Sequence, residues 1–126
     1  MAVSASQIAF AEELFAELGC RARRMFGGAG LYAQGVMFGM IDDSETIRLK
    51  ADAGLSRDLE AEGSGEWVYV YPSGPKAGQT IAMSYWSLPD AALDEPAAAC
   101  VWGRRALDVA LRAQAAKPGK RRRQDP

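Results

Sequence analysis

A chain of 126 residues and 13.5 kDa has room for one domain, whose core can hold about two-thirds of the surface of the unfolded chain. Apolar residues at 48% and charged residues at 25% fit a soluble globular protein; no apolar run approaches the roughly 20 residues a membrane span needs, and Met1-Ala2-Val3-Ser4 lacks the basic and apolar stretches of a signal peptide, so a cytoplasmic protein without a membrane partner is expected. The net charge of −1 divides unevenly, because residues 117–126 hold Lys117, Lys120, Arg121, Arg122 and Arg123 against Asp125, a local +4, which leaves residues 1–116 with 10 basic and 15 acidic groups, or −5.

The spacing of Ile8, Ala11, Leu14, Phe15 and Leu18 predicts a helix over residues 6–18, with Ser4 or Ser6 as N-cap and Gly19 as its stop. Short strands are expected next, at about 22–26, 29–33, 36–41 and 46–51. Ala33-Gln34-Gly35-Val36 reads as a two-residue hairpin turn and Asp42-Asp43-Ser44-Glu45 as the following turn, with its acidic residues in solvent. Asp52 caps a second helix over 53–62, which carries Leu55 and Leu59 on one face and ends at Gly63-Ser64-Gly65. Trp67 to Tyr71 and Thr80 to Trp86 read as two more strands around the loop 72–78. Pro96, preceded by Asp94 or Glu95, opens a terminal helix of roughly 20 residues with an inward stripe of Ala99, Trp102, Ala106, Val109 and Ala113.

The order is α, β meander, α, β hairpin, α. Adjacent strands without alternating helices exclude a parallel doubly wound sheet and predict an α+β two-layer sandwich, a mainly antiparallel sheet covered by helices. This domain spans 1–116. Residues 117–126, with no apolar side chain beyond proline, are expected to form a disordered basic tail.

The densest signal lies at Arg23-Arg24-Met25-Phe26-Gly27-Gly28-Ala29-Gly30-Leu31-Tyr32. Glycine tolerates positive φ and lets other groups approach the backbone, so Gly27, Gly28 and Gly30 predict a bend or bulge in the sheet. With Gly35-Val36-Met37-Phe38 and Ala82-Met83-Ser84-Tyr85-Trp86-Ser87-Leu88-Pro89, this stretch resembles the N-terminal domain of the TfoX/Sxy family of competence-regulator relatives, over roughly residues 3 to 115. The resemblance implies a secretion-chaperone-like fold and a regulatory role, and brings no chemical activity with it.

Two readings of the motif compete. In one, glycine-bent backbone and the guanidinium groups of Arg23 and Arg24 form an anion or partner site with Gly27, Gly28, Gly30 and Tyr32. In the other, the arginines of a bulged strand pair with Asp42, Asp43 or Glu45. A P-loop and a dinucleotide fingerprint are both missing. Alternation puts Trp67, Tyr69 and Tyr71 on one face and Val68 and Val70 on the other, which predicts an aromatic face outside the aliphatic core. The acidic body argues against docking of a phosphate backbone there.

Without histidine, Ser–His and Cys–His nucleophile pairs are impossible, and two cysteines leave too few soft ligands for a zinc site, so neither a catalytic residue nor a metal or other cofactor is expected. Lys50 reads as a surface charge, and Cys20 and Cys100 as two buried thiols. Lys117, Lys120, Arg121, Arg122 and Arg123 would give weak, sequence-independent nucleic-acid binding. The expectation is a non-catalytic regulatory or adaptor domain that contacts another protein, transcription-related as the resemblance implies. The alternative is a small-anion-binding module, or an enzyme built on one, centred on Arg23 and Arg24.

Overall fold

The computed structural model describes residues 3–25 and 27–116. Met1, Ala2, the Phe26 of the glycine-rich motif and the basic segment 117–126 with its expected disorder lie outside the described residues.

Helix α1 runs over Ala5–Leu14, with Ser4 as its N-cap: the Ser4 hydroxyl accepts the Gln7 amide at 3.1 Å. It is shorter than the expected 6–18, because the chain tightens into a 3-10 turn at Ala16–Leu18 and closes on Gly19 at φ 75°. Three residues per turn set Phe15 and Leu18 on the same side, and both are buried.

The meander follows as β1 Arg21–Met25, β2 Gly28–Ala33, β3 Val36–Ile41 and β4 Ile47–Lys50, all antiparallel. Strand β1 turns into β2 at Gly27, whose φ of 82° suits glycine. Gly28 needs its hydrogen for another reason: a Cβ there would run into the Ile41 carbonyl. The bulge expected at this cluster falls further on, where the β2–β3 register shifts between Leu31 and Tyr32, so that Leu31 pairs with Gly39, Tyr32 with Met37, and Phe38 is the extra residue. The β2–β3 turn takes positive φ at both Gln34 (52°) and Gly35 (80°), the geometry that matches strand twist.

Asp42 is buried, not solvated as expected. Its Oδ1 accepts the amides of Ser44 and Thr46 at 2.9 and 3.1 Å, and its Oδ2 meets Arg48 Nε at 2.9 Å. The aspartate thereby closes the β3–β4 turn from within.

Helix α2, Ala53–Ala61, is capped by Asp52 and buries Leu55 and Leu59. Strands β5, Glu66–Val70, and β6, Thr80–Ser87, form the hairpin, and β6 docks beside β4, which gives one six-stranded antiparallel sheet in the order β1-β2-β3-β4-β6-β5. Helix α3, Pro96–Ala115, packs against β3 and β4 and buries Ala99, Ala106, Leu107, Val109 and Ala110; Trp102 and Ala113 of the expected stripe are only half-buried. The protein is thus an α+β domain with a helix-covered sheet. Its core centres on Phe15 and Phe38, stacked edge to face at 5.5 Å, with Leu31, Ile41 and Leu49 around them. Gly103 lets α3 come close, since a Cβ there would stand 2.9 Å from Leu18 and 3.0 Å from Phe15.

Candidate functional site

Cross-strand partners share a face, so the β1–β2 register sets Arg21, Arg23 and Met25 beside Tyr32, Gly30 and Gly28 on one face, and Ala22 and Arg24 beside Leu31 and Ala29 on the core side. The two adjacent arginines therefore do different things. Arg24 Nη1 donates to the Val3 carbonyl at 2.7 Å, which ties the N-terminal segment to the sheet. Arg23 lies over the Tyr32 ring, its guanidinium carbon 5.6 Å from the centroid. Two of the three carboxylates considered as their partners are engaged elsewhere: Asp42 by Arg48, and Glu45 by the Ser4 hydroxyl at 3.1 Å, while the Glu45 carbonyl accepts from the Gln7 side chain. Gly30 makes room for side chains, because a Cβ would come within 2.9 Å of the Tyr32 ring and 3.0 Å of Met37 Sδ.

Tyr32 and Met37 form one wall of a cleft in the sheet. The β3–β4 ladder stops at Gly39–Leu49, while β4 and β6 continue to Lys50–Tyr85, so the end of the β2–β3 hairpin stands apart from the paired end of β4 and β6. Ala110, Ala113 and Gln114 of α3 line the space between, a cavity of about 320 Å³. Lys50 Nζ sits 5.5 Å from the centre of the Tyr85 ring. Burial, and next the neighbouring Tyr32, push the Tyr85 phenol above its ordinary value, so it stays protonated at neutral pH. Lys50, expected to be a plain surface charge, instead lines this cleft beside Tyr85. Strand alternation carried the signal that it shares a face with Tyr85, but the pairing of β4 with β6 had to be known first.

The second exposed feature is the β5–β6 hairpin. Trp67, Tyr69 and Tyr71 form an edge-to-face row at 6.5 and 5.2 Å, with Lys76 over Tyr71. The valines on the opposite face are not the core that alternation suggests: Val68 is 46% and Val70 54% exposed, and on the aromatic face Ile81, the partner of Tyr69, is 47% exposed. Strand β6 pairs with β4 only through Tyr85 to Ser87, so the outer half of the hairpin extends past the helices that would cover it.

Cys20 and Cys100 are free and buried. Burial, then Glu12 and Cys100, push the Cys20 thiol up to about 12, and burial also raises Cys100, so neither presents a thiolate near pH 7. Among the described residues no group of three or more Cys, Asp or Glu side chains is arranged to hold a metal ion, and no helix is long and apolar enough to cross a membrane.

Residues 13–110 match the family model of the TfoX N-terminal domain. Comparison of the sequence with curated proteins finds no match. Because the match spans most of the chain, from the second half of α1 to α3, the protein belongs to the TfoX N-terminal domain family.

Proposed function

We propose that this TfoX N-terminal domain is a non-catalytic regulatory adaptor of the cytoplasm, which binds another protein by accepting a strand on the outer edge of β5, in the transcription-related control that the family resemblance implies. One observation carries the reading. Among the described residues, four of the six large apolar side chains exposed by at least 38%, namely Val68, Tyr69, Val70 and Ile81, lie on one hairpin whose outer strand has a neighbour on one side only. An edge of this kind offers unpaired backbone N–H and C=O groups, and alternate side chains on either face supply apolar contacts for an added strand. The tail adds a second, weaker reach: Lys117, Lys120, Arg121, Arg122 and Arg123 would attract nucleic acid without sequence preference and with steep salt dependence.

The test is cross-linked recovery from the native cytoplasm with the wild-type chain, a Val68→Lys/Val70→Lys variant and a chain ending at residue 116. The adaptor reading expects a partner protein held by the first and third and lost from the second. Equal recovery by the hairpin variant would overturn docking at β5, and recovery of nucleic acid alone, abolished by removing 117–126, would replace the adaptor by a tail-driven binder.

A further inference from the structure

We propose that the cleft between the β2–β3 hairpin and the β4–β6 pair binds a small organic carboxylate, with its charge on Lys50 Nζ, its oxygens at the hydroxyls of Tyr32 and Tyr85, and its apolar body against Met37, Ala110 and Ala113. The site is independent of the β5 edge.

The cleft exists because the sheet is interrupted on both walls. On one side the extra residue Phe38 turns into the core, and Tyr32 and Met37 lean over Gly30. On the other, Ser84 takes φ 61°, a conformation costly for a residue with a side chain, directly before Tyr85, and the β5–β6 register shifts between Glu66 and Val68. Sheet irregularities of this kind re-aim side chains next to binding sites. The resulting space of about 320 Å³ lies at the lower end of the range for small-molecule sites, roughly 300–1,000 Å³.

Its lining selects the ligand class. Among the described residues, Lys50 makes no ion pair and no Asp or Glu lines the cleft, so one positive charge stands there without a counter-charge. A single ammonium balances a single negative charge, and two phenol hydroxyls offer one hydrogen-bond donor for each carboxylate oxygen. Phosphate, at up to two charges, suits sites with several cations, and Lys50 is the one cation among the described residues that line this cleft. Met37, Ala110 and Ala113 give the ligand apolar contact over part of the lining, while Gln114 adds a side-chain amide, so the space suits a compact carboxylate with a small hydrocarbon body.

The experiment is an amide chemical-shift titration of the full chain with acetate, isobutyrate, benzoate and inorganic phosphate. Isobutyrate or benzoate should give saturable shifts at Gly35, Ala51, Ala113 and Gln114, with affinity reduced about tenfold or more in Lys50→Met and about threefold or more in Tyr85→Phe, while both variants keep the wild-type melting temperature. If Lys50→Met loses its fold, Lys50→Gln and Tyr85→Phe carry the comparison. The proposal falls if no carboxylate saturates below about 50 mM, if the Lys50 and Tyr85 variants bind as well as the parent, or if phosphate binds as tightly as the carboxylates.

Discussion

At one edge of the sheet, β1 presents Arg21, Arg23 and Arg24, and its backbone is occupied: the Ala22 amide donates to Glu12 of α1 at 2.8 Å, and the Arg24 guanidinium holds Val3, whose amide in turn bonds the Gly27 carbonyl at 2.8 Å. At the other edge, β5 carries Trp67, Val68, Tyr69 and Val70, and no strand or helix covers its outer side among the described residues. Sheet edges are normally protected by charge, by covering elements or by both, because bare edges recruit other chains. The β1 edge uses every one of these devices. The β5 edge uses none along Trp67–Val70, although the same sequence builds both, and this contrast is what supports a docking role for β5.

Beside the β4–β6 ladder, the side chain of Arg48 ties the protected body to the exposed hairpin. Its Nε is held by buried Asp42, and its Nη1 donates to Gly65 at the foot of β5 at 3.0 Å. Asp42→Ala should therefore give the largest effect. It strands a guanidinium that is only 17% exposed and leaves the Ser44 and Thr46 amides without their acceptor. Removing one partner of a buried pair costs about 3–5 kcal/mol, and the lower end applies since Arg48 keeps Gly65. Thermal unfolding checks it: a loss under about 1 kcal/mol would show that the turn does not depend on this aspartate.

The next effect belongs to the entrance of β1. The Cys20 thiol is raised from its ordinary 9.0 to about 12, so above pH 9 the native state keeps a proton that the unfolded chain loses. Stability then falls as pH rises, by about 1–2 kcal/mol near pH 10.5 after allowance for partial solvent screening. Burial also raises Tyr85 and Cys100, whose contributions have the same sign. Denaturant unfolding of the wild type and Cys20→Ala at about pH 7.5 and 10.5 isolates the Cys20 share, and parallel losses in both proteins would assign it elsewhere.

The two arginines sharpen the account of the β1 edge. Arg24→Ala gives up a charge-assisted bond to the Val3 carbonyl and should cost about 1 kcal/mol, whereas Arg23→Ala gives up an exposed contact with the Tyr32 ring and should cost about 0.5 kcal/mol or less. Alternation along β1 made this asymmetry legible from sequence. Helix caps were legible too, because a serine or aspartate stands shortly before each apolar periodicity: Asp52 is the one candidate for α2, while Ser4 and Ser6 are both open for α1 and the structure selects Ser4. What sequence could not show depended on pairing between distant segments. The approach of Ile41 to Gly28, the rescue of Asp42 by Arg48, and the meeting of Lys50 with Tyr85 all require the register of strands that local pattern does not fix. The exposure of Val68 and Val70 failed for a related reason: alternation names two faces, but only the tertiary arrangement says that the hairpin outruns its helices.

The smallest expected change in stability tests the β5 edge most directly. Val68→Lys and Val70→Lys exchange side chains that are already about half in solvent, so little buried apolar area is lost, and the effect on unfolding should stay within about 0.5 kcal/mol. A lysine on an edge strand nevertheless obstructs strand addition, since an incoming chain must bury or displace its charge. Stability and partner recovery should therefore separate: near-wild-type melting with loss of the bound protein. If both valine variants instead destabilise the domain by more than about 2 kcal/mol, the hairpin is an integral part of the core, and its apolar residues are explained by folding alone.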